Sequence, residues 1–514
     1  MNLGKYRHIV FSLAAVGLLL VGLYLSLNEA PQVARAAPSA LFVAPGGSGD
    51  CSQAIPCDLQ AALSTASEGD TLYLAQGNYT GAGGAVITVT RSITLYGGWD
   101  GSQTTPPMRD PVLFPTTLDG ERQRRVVYVD ENVAPTIDGL IITGGNATGL
   151  DGGLFAGSDS GGGIYSLNAS PLIQNNVITN NIASTQAGVR ALGGGIYINS
   201  DSTVAVVRYN QIISNTAGVE IQQGDGGGLF INGAADVLGN TFQENSACKN
   251  CDHASGGGVY IGWTTSEIVI AHNLFENNQA RWGGGIHLVW SAVQVSYNTL
   301  IGNTATQDGA GLYSHYDKGS MITANLVISN TAADDGGGLG IYITQGPEPT
   351  QLVNNIIVRN QAGSFGGGLY ASSDWIISAI TLTHNTIVSN GIGIGIGGNM
   401  TATLVNNIIV SHTLGITVTE PDGNIFAGHT LFWGNTDDGV RGTNPVDSDP
   451  AFVNPDVNDY HIGPGSGAID QGVDAGVAMD IDGDPRPAGA GYDIGADEMW
   501  NKVYLPLVSR SYQP

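Results

Sequence analysis

The chain has 514 residues, a formal net charge of −26, 76 glycines, 12% charged and 42% hydrophobic residues. That composition is too apolar for a disordered chain and too glycine-punctuated for a helical one, which leaves a repetitive β architecture growing along one axis as a single long domain. The acidic balance repels phosphate backbones and speaks against nucleic acid as a partner.

In residues 1–36, Lys5 and Arg7 precede an uncharged run from Ile9 to Leu27, and Ala34-Arg35-Ala36 stands before Ala37. This is the order of a secretory signal peptide with an A-x-A site, cleaved after Ala36. The apolar run is also long enough to serve as an uncleaved membrane anchor. Both readings export the chain, to the extracellular space or the cell surface.

Residues 37–149 read as an N-terminal cap and first coils. Leu41-Phe42-Val43 is a strand pattern, and Asp58 is placed as the N-cap of a short helix from Leu59 to Ala66 with Leu59, Ala62 and Leu63 on one face. Strand patterns follow at Thr71 to Ala75 and Val86 to Tyr96. A helix over the first coil is what the open end of a solenoid requires.

Residues 150–446 carry the repeat. A glycine triplet or near-triplet followed by an apolar and an aromatic position starts at 161, 193, 226, 256, 283, 309, 336 and 366. Each block is followed by a hydrophobic strand bracketed by two asparagines, from Asn176 and Asn181 to Asn385 and Asn390. Units this short cannot bury a hydrophobic face alone, so they must stack, and the asparagines then form columns of amide-to-amide hydrogen bonds. The expected fold is an all-β, right-handed parallel β-helix with an N-terminal capping helix. Four cysteines in two close pairs, Cys51 with Cys57 and Cys248 with Cys251, read as local disulfides in an exported chain.

The paired signatures, GGG-I/L/V with Phe242-Gln243-Glu244-Asn245 or Phe275-Glu276-Asn277-Asn278, resemble the GGA-I and F-x-x-N repeats of the chlamydial polymorphic outer membrane proteins. That resemblance implies a surface-displayed β-helix, adhesive in some members. Residues 447–498 contain Asp447-Ser448-Asp449-Pro450-Ala451-Phe452, Pro464-Gly465-Ser466-Gly467-Ala468-Ile469-Asp470 and Asp493-Ile494-Gly495-Ala496-Asp497-Glu498. They resemble the choice-of-anchor segment that follows β-helices in bacterial exported proteins, which implies a membrane or cell-wall tether in the tail, 499–514. The oligomeric state is not legible.

Period-2 alternation after each triplet points one aromatic per coil outward: Tyr165, Tyr197, Phe230, Tyr260, His287, Tyr313 and Tyr370, interrupted by Gly340. Trp263, Trp290 and Tyr316 form a second short column. An exposed ladder of this kind suits stacking on sugar rings, or it packs under neighbouring loops. Asp225, Asp308, Asp334 and Asp335 precede the triplets, where they suit acid–base cleavage of glycosides, calcium ligation or tight turns. Asp480, Asp482 and Asp484 begin a calcium-loop pattern that Pro485 and Gly491 leave incomplete. Calcium is the one cofactor these patterns point to. Long connections between residues 182 and 255 place an expected groove between residues 150 and 320.

The fold also resembles that of the pectate lyases and polygalacturonases. Asn435-Thr436-Asp437 matches one polygalacturonase motif without its partners, and neither Arg208 nor Arg281 stands out as a lyase base. The sequence therefore leans towards a non-enzymatic, adhesin-like protein that binds polysaccharide or cell-surface glycan. Its alternatives are a polysaccharide lyase or glycoside hydrolase, and a structural fibre.

Overall fold

The computed structural model describes residues 38–500 apart from 220–222, 249–250, 265–266 and 343–347. The signal or anchor segment and the tail beyond residue 500 therefore lie outside the described residues. No helix among those residues is long and apolar enough to cross a membrane.

One coil shows the plan of the rest. Ile196–Arg208 crosses the first face and bends onto a second, Gln211–Ile213 forms a third side, Thr216–Gly218 a fourth, and Gln223–Asp225 leads back to the next triplet. Each pairs in parallel with its counterpart one coil on, in Leu229–Leu238, Thr241–Gln243, Ser246–Cys248 and His253–Ser255. Repetition stacks sheets of 23, 14, 7 and 4 strands. The pairing is continuous from Ala40, so the first 110 or so described residues are coils of the same solenoid.

Register fixes the core. Ile164, Ile196, Leu229, Val259, Ile286, Leu312, Leu339, Leu369 and Ile394 pair one above another, and all are fully buried. The triplets explain why glycine precedes them. Gly226 has φ +69°, and a Cβ on Gly228 would sit 2.6 Å from the Gly258 carbonyl oxygen of the next coil.

The asparagine columns saturate the turns. Asn278 Oδ1 accepts from the backbone N–H and Nδ2 of Asn245 at 3.0 Å, while its own Nδ2 donates to Phe242 O at 2.9 Å and to Asn303 Oδ1 at 3.0 Å. Every polar atom of a buried amide is thus used in a dry interior. The second column runs on through His412 to Asn435, so the Asn435-Thr436-Asp437 motif belongs to the ladder and not to a catalytic set.

The helix forms as expected, over Leu59–Thr65, with Asp58 accepting from Ala61 N at 2.8 Å and Leu59 and Ala62 buried against the first coil. Both cysteine pairs, Cys51–Cys57 and Cys248–Cys251, are disulfides. At the other end, residues 458–496 fold back along the outer face of the 14-strand sheet. Tyr460, Ile462, Ala468, Ile494 and Ala496 pack there on Ile356, Val358, Val388, Ile408, Val410 and Leu431.

Candidate functional site

The aromatic ladder points outward as its periodicity predicts, but it is not exposed. Tyr165, Tyr197, Phe230 and Tyr260 stack at 5.0–5.3 Å between ring centroids with nearly parallel planes, and Tyr128 extends the stack by one coil. All four are at most 3% exposed. The reason lies in the long connections. They hold a fourth sheet, Asp159–Ser160, Arg190–Leu192, Gln223–Asp225 and His253–Ser255, and Leu192 with Phe155 closes over the rings. Connections expected to rim a groove instead cover it, so a face open to sugar stacking does not exist at these rungs. Each stacked pair contributes about 0.5–1.5 kcal/mol beyond its burial.

His287 continues the column between Tyr260 and Tyr313. It is 4% exposed and neither ring nitrogen has a partner, so burial pushes it well below its ordinary value of 6.5. His287→Phe should therefore stabilise the fold by about 1–2 kcal/mol at neutral pH, because it removes two orphaned polar atoms while keeping the ring. The folded imidazole stays neutral as unfolded chains take up protons below 6.5, so the native protein loses stability as pH falls through that value. The gain from Phe should accordingly be larger at about pH 5 than at pH 7 in denaturant unfolding, and a gain that shrinks on acidification would refute the assignment.

Beyond His253–Ser255, the last strand of the fourth sheet, the connections shorten to four or five residues. There Gly340 stands in the column between Tyr313 and Tyr370, and a cleft of about 280 Å³ opens. Its walls are Tyr313, Tyr342 and Tyr370, its rim the carboxylates of Asp308, Asp335, Asp374 and Glu420, with Ser372 alongside. Tyr342 and Ser372 lie on the outward face of the same strands, in register with His315. Tyr342 donates its hydroxyl hydrogen bond to Asp374. Glu420 arrives from a turn two coils on and accepts from Gly398 N at 3.1 Å.

Asp308 and Asp335 serve the turns as well as the cleft. Asp308 Oδ1 accepts from Asp335 N at 3.1 Å, and Asp335 Oδ1 from Phe365 N at 2.8 Å. Desolvation raises Asp308 above its ordinary value and lifts Asp335 to about 6, with Asp334, Asp308 and Glu420 adding repulsion. His315 beside Tyr313 is pushed down to about 4 by burial, so it is neutral near pH 6. Asp334 is turned aside to Ser364 Oγ at 2.8 Å. Asp225 is elsewhere: fully buried and paired with Arg190 at 2.8 Å, it is a structural ion.

Of the second aromatic column, Trp290 and Tyr316 stack at 4.3 Å and are partly buried, whereas Trp263 is 43% exposed and meets Phe155 edge-on. Arg208 is tied to Gln174, and Arg281 to Gln307 and Asp252 O. In the terminal segment, Asp480 is buried and both its oxygens accept backbone N–H groups, from Asp482, Asp484 and Glu498, which makes the D-x-D-x-D a turn. Asp482 reaches His461 Nε2 at 2.9 Å. His461, Asp482 and Asp497 are the described side chains whose ligand atoms converge, within 4.8 Å.

Residues 195–374 and 308–432 match the family described as the right handed beta helix region. No curated protein matches the sequence. Among solved structures, pectate lyase Pel9A is 14% identical, with 90% of this chain and 97% of that one covered at a TM-score of 0.37. An alginate lyase from Paenibacillus sp. str. FPU-7 is 16% identical (76% and 99% covered, TM-score 0.29). A PL6 family polysaccharide lyase from Pseudopedobacter saltans is 13% identical (75% and 92%, TM-score 0.30). At these values no chemistry carries over from one chain to another. The stacked parallel coils, with the family match over residues 195–432, give this chain the right-handed parallel β-helix fold.

Proposed function

We propose that the protein is an exported polysaccharide-cleaving enzyme that hydrolyses glycosidic bonds in the cleft around Gly340. The observation that carries this reading is the gap at Gly340. The column that is aromatic and covered elsewhere here loses one ring, opens, and is rimmed by carboxylates of unequal environment. The Tyr313 ring leans over Gly340, and a sugar ring packs in the cleft beside it against Tyr313, Tyr342 and Tyr370. Asp335, half-buried and holding its proton to about pH 6, donates it to the glycosidic oxygen as the bond from that oxygen to the anomeric carbon breaks. The exposed Asp374 and Glu420 supply the second carboxylate, which attacks the anomeric carbon or draws a proton from the attacking water. Elimination chemistry is disfavoured, because among the described residues the cleft lining holds no basic side chain to neutralise a uronate.

The test is a panel of neutral, amino and uronic polysaccharides incubated with the full chain, scored for reducing ends and for unsaturated ends. Reducing ends without unsaturation are expected. Unsaturated ends would replace hydrolysis with elimination. Retention of glycan without any cleavage would favour the second reading, a glycan-binding surface protein, for which the exposed Trp263 is the supporting observation.

A further inference from the structure

The cleft's charge says which glycans suit it. Four carboxylates, Asp308, Asp335, Asp374 and Glu420, meet three tyrosine rings, and among the described residues no Lys, Arg or His lines the space. The cation nearest in influence, Arg281, is committed: its Nε donates to Gln307 Oε1, it lies over the Trp282 ring, and it reaches Asp252 O. His315, against Tyr313 and Tyr342, is neutral near pH 6.

The carboxylates are therefore crowded, and among the described residues the one cation acting on them is Arg281, which lowers Asp308 from outside the cleft lining. Asp335 feels Asp334, Asp308 and Glu420, and the carboxylates add to the burial that raises Tyr313 and Tyr370. A uronate entering this space adds a like charge at a half-desolvated site. An ammonium group relieves it, and the faces of the tyrosines attract the same cation.

We infer that the cleft takes a cationic glycan, a polymer of sugars bearing free amino groups, in preference to uronate polymers and to the N-acetylated form of the same chain. This rests on the reading of the cleft as a glycan site, but not on cleavage there. One geometry serves both ends: rings that stack on the sugar, and acids that meet its amine.

The test is isothermal titration of the intact protein, near pH 6, with glucosamine oligomers, their N-acetylated counterparts and galacturonate oligomers with and without calcium. Binding of the free amine should be on the order of tenfold tighter than that of the acetylated chain, and added salt should erase most of the difference. In a variant carrying Asp374→Asn and Glu420→Gln the ratio between the two should collapse, with the melting temperature showing that the fold is kept. That pattern supports the inference even if no chain is cut, in which case only hydrolysis fails. Equal or weaker binding of the amine overturns the inference, while cleavage of a neutral glycan would still stand. Tighter binding of galacturonate in calcium also overturns it, and the absence of all binding overturns both readings.

Discussion

Asp335→Asn should lower the rate of glycan cleavage by about 10²–10⁴-fold, the range that removal of a positioned general acid costs. The substitution is chosen because the fold does not need the charge. Asp335 Oδ1 accepts from Phe365 N at 2.8 Å, and the amide oxygen of Asn can accept the same bond. What Asn lacks is a proton to give. The pH profile supplies a second readout. With Asp335 held up to about 6 by burial and by Asp334, Asp308 and Glu420, the native rate should fall as pH rises through that value, since the acid is then ionised. The variant should lose this alkaline limb along with the rate. A variant that melts like the native protein and cleaves at the native rate would remove Asp335 from the chemistry. Asp308, raised by the same burial and in the same cleft, would be the next residue to test.

The fold was legible because each level of the sequence agrees. Gly226 is required by a positive φ, Gly228 by the approach of the next coil, and Asn245 and Asn278 by a buried turn that only an amide can saturate. These demands recur at the coil period, and the eye finds them without a structure. The direction of the aromatic ladder was legible for the same reason. Its burial was not, because alternation fixes which face a residue takes within a sheet but says nothing of what packs on that face. Leu192 and Phe155 cover the rings from connections whose course no periodicity announces.

The cleft was half legible. Gly340 stands out as the interruption in the column, and extending the alternation by two residues from it and from Tyr370 reaches Tyr342 and Ser372. Glu420 was beyond reach, since its coil has no triplet to set the register and it reaches the cleft from two coils away. The docking of the C-terminal segment, by contrast, left a signal in plain view. Early strands of the 14-strand sheet alternate, as in Thr241-Phe242-Gln243 with only Phe242 buried. Later ones are apolar throughout, as in Ile356-Ile357-Val358 and Ile408-Ile409-Val410, all buried. A parallel strand apolar on both faces must be covered on both.

What holds that cover in place predicts the largest stability effect. Arg486 is fully buried, its side chain paired with the equally buried Glu498 at 2.8 Å, and its other nitrogen donates to Gly495 O at 2.9 Å. Glu498 in turn accepts from Ala488 N at 2.8 Å and Asp493 N at 3.0 Å. The pair thus closes the segment on itself, while Asn354, Thr386 and Asn406 of the coils bond to its Met479, Ala496 and Val473. Arg486→Ala should cost the docked segment about 3–5 kcal/mol, because it leaves the buried Glu498 carboxylate without its counter-charge. Because a solenoid's stability is summed from neighbouring contacts, the loss should be local. Amides of residues 458–496 and of the outer strands around Ile356, Val388 and Val410 should exchange faster, with dye binding to the uncovered apolar face, while the coils before residue 300 keep their protection. Arg486→Met combined with Glu498→Gln should recover part of the loss, since it removes the stranded charge and leaves an acceptor for the backbone. If Arg486→Ala alone left exchange in the segment unchanged, the docking would rest on the apolar contacts of Tyr460, Ile462 and Ile494, and the ion pair would be incidental to it.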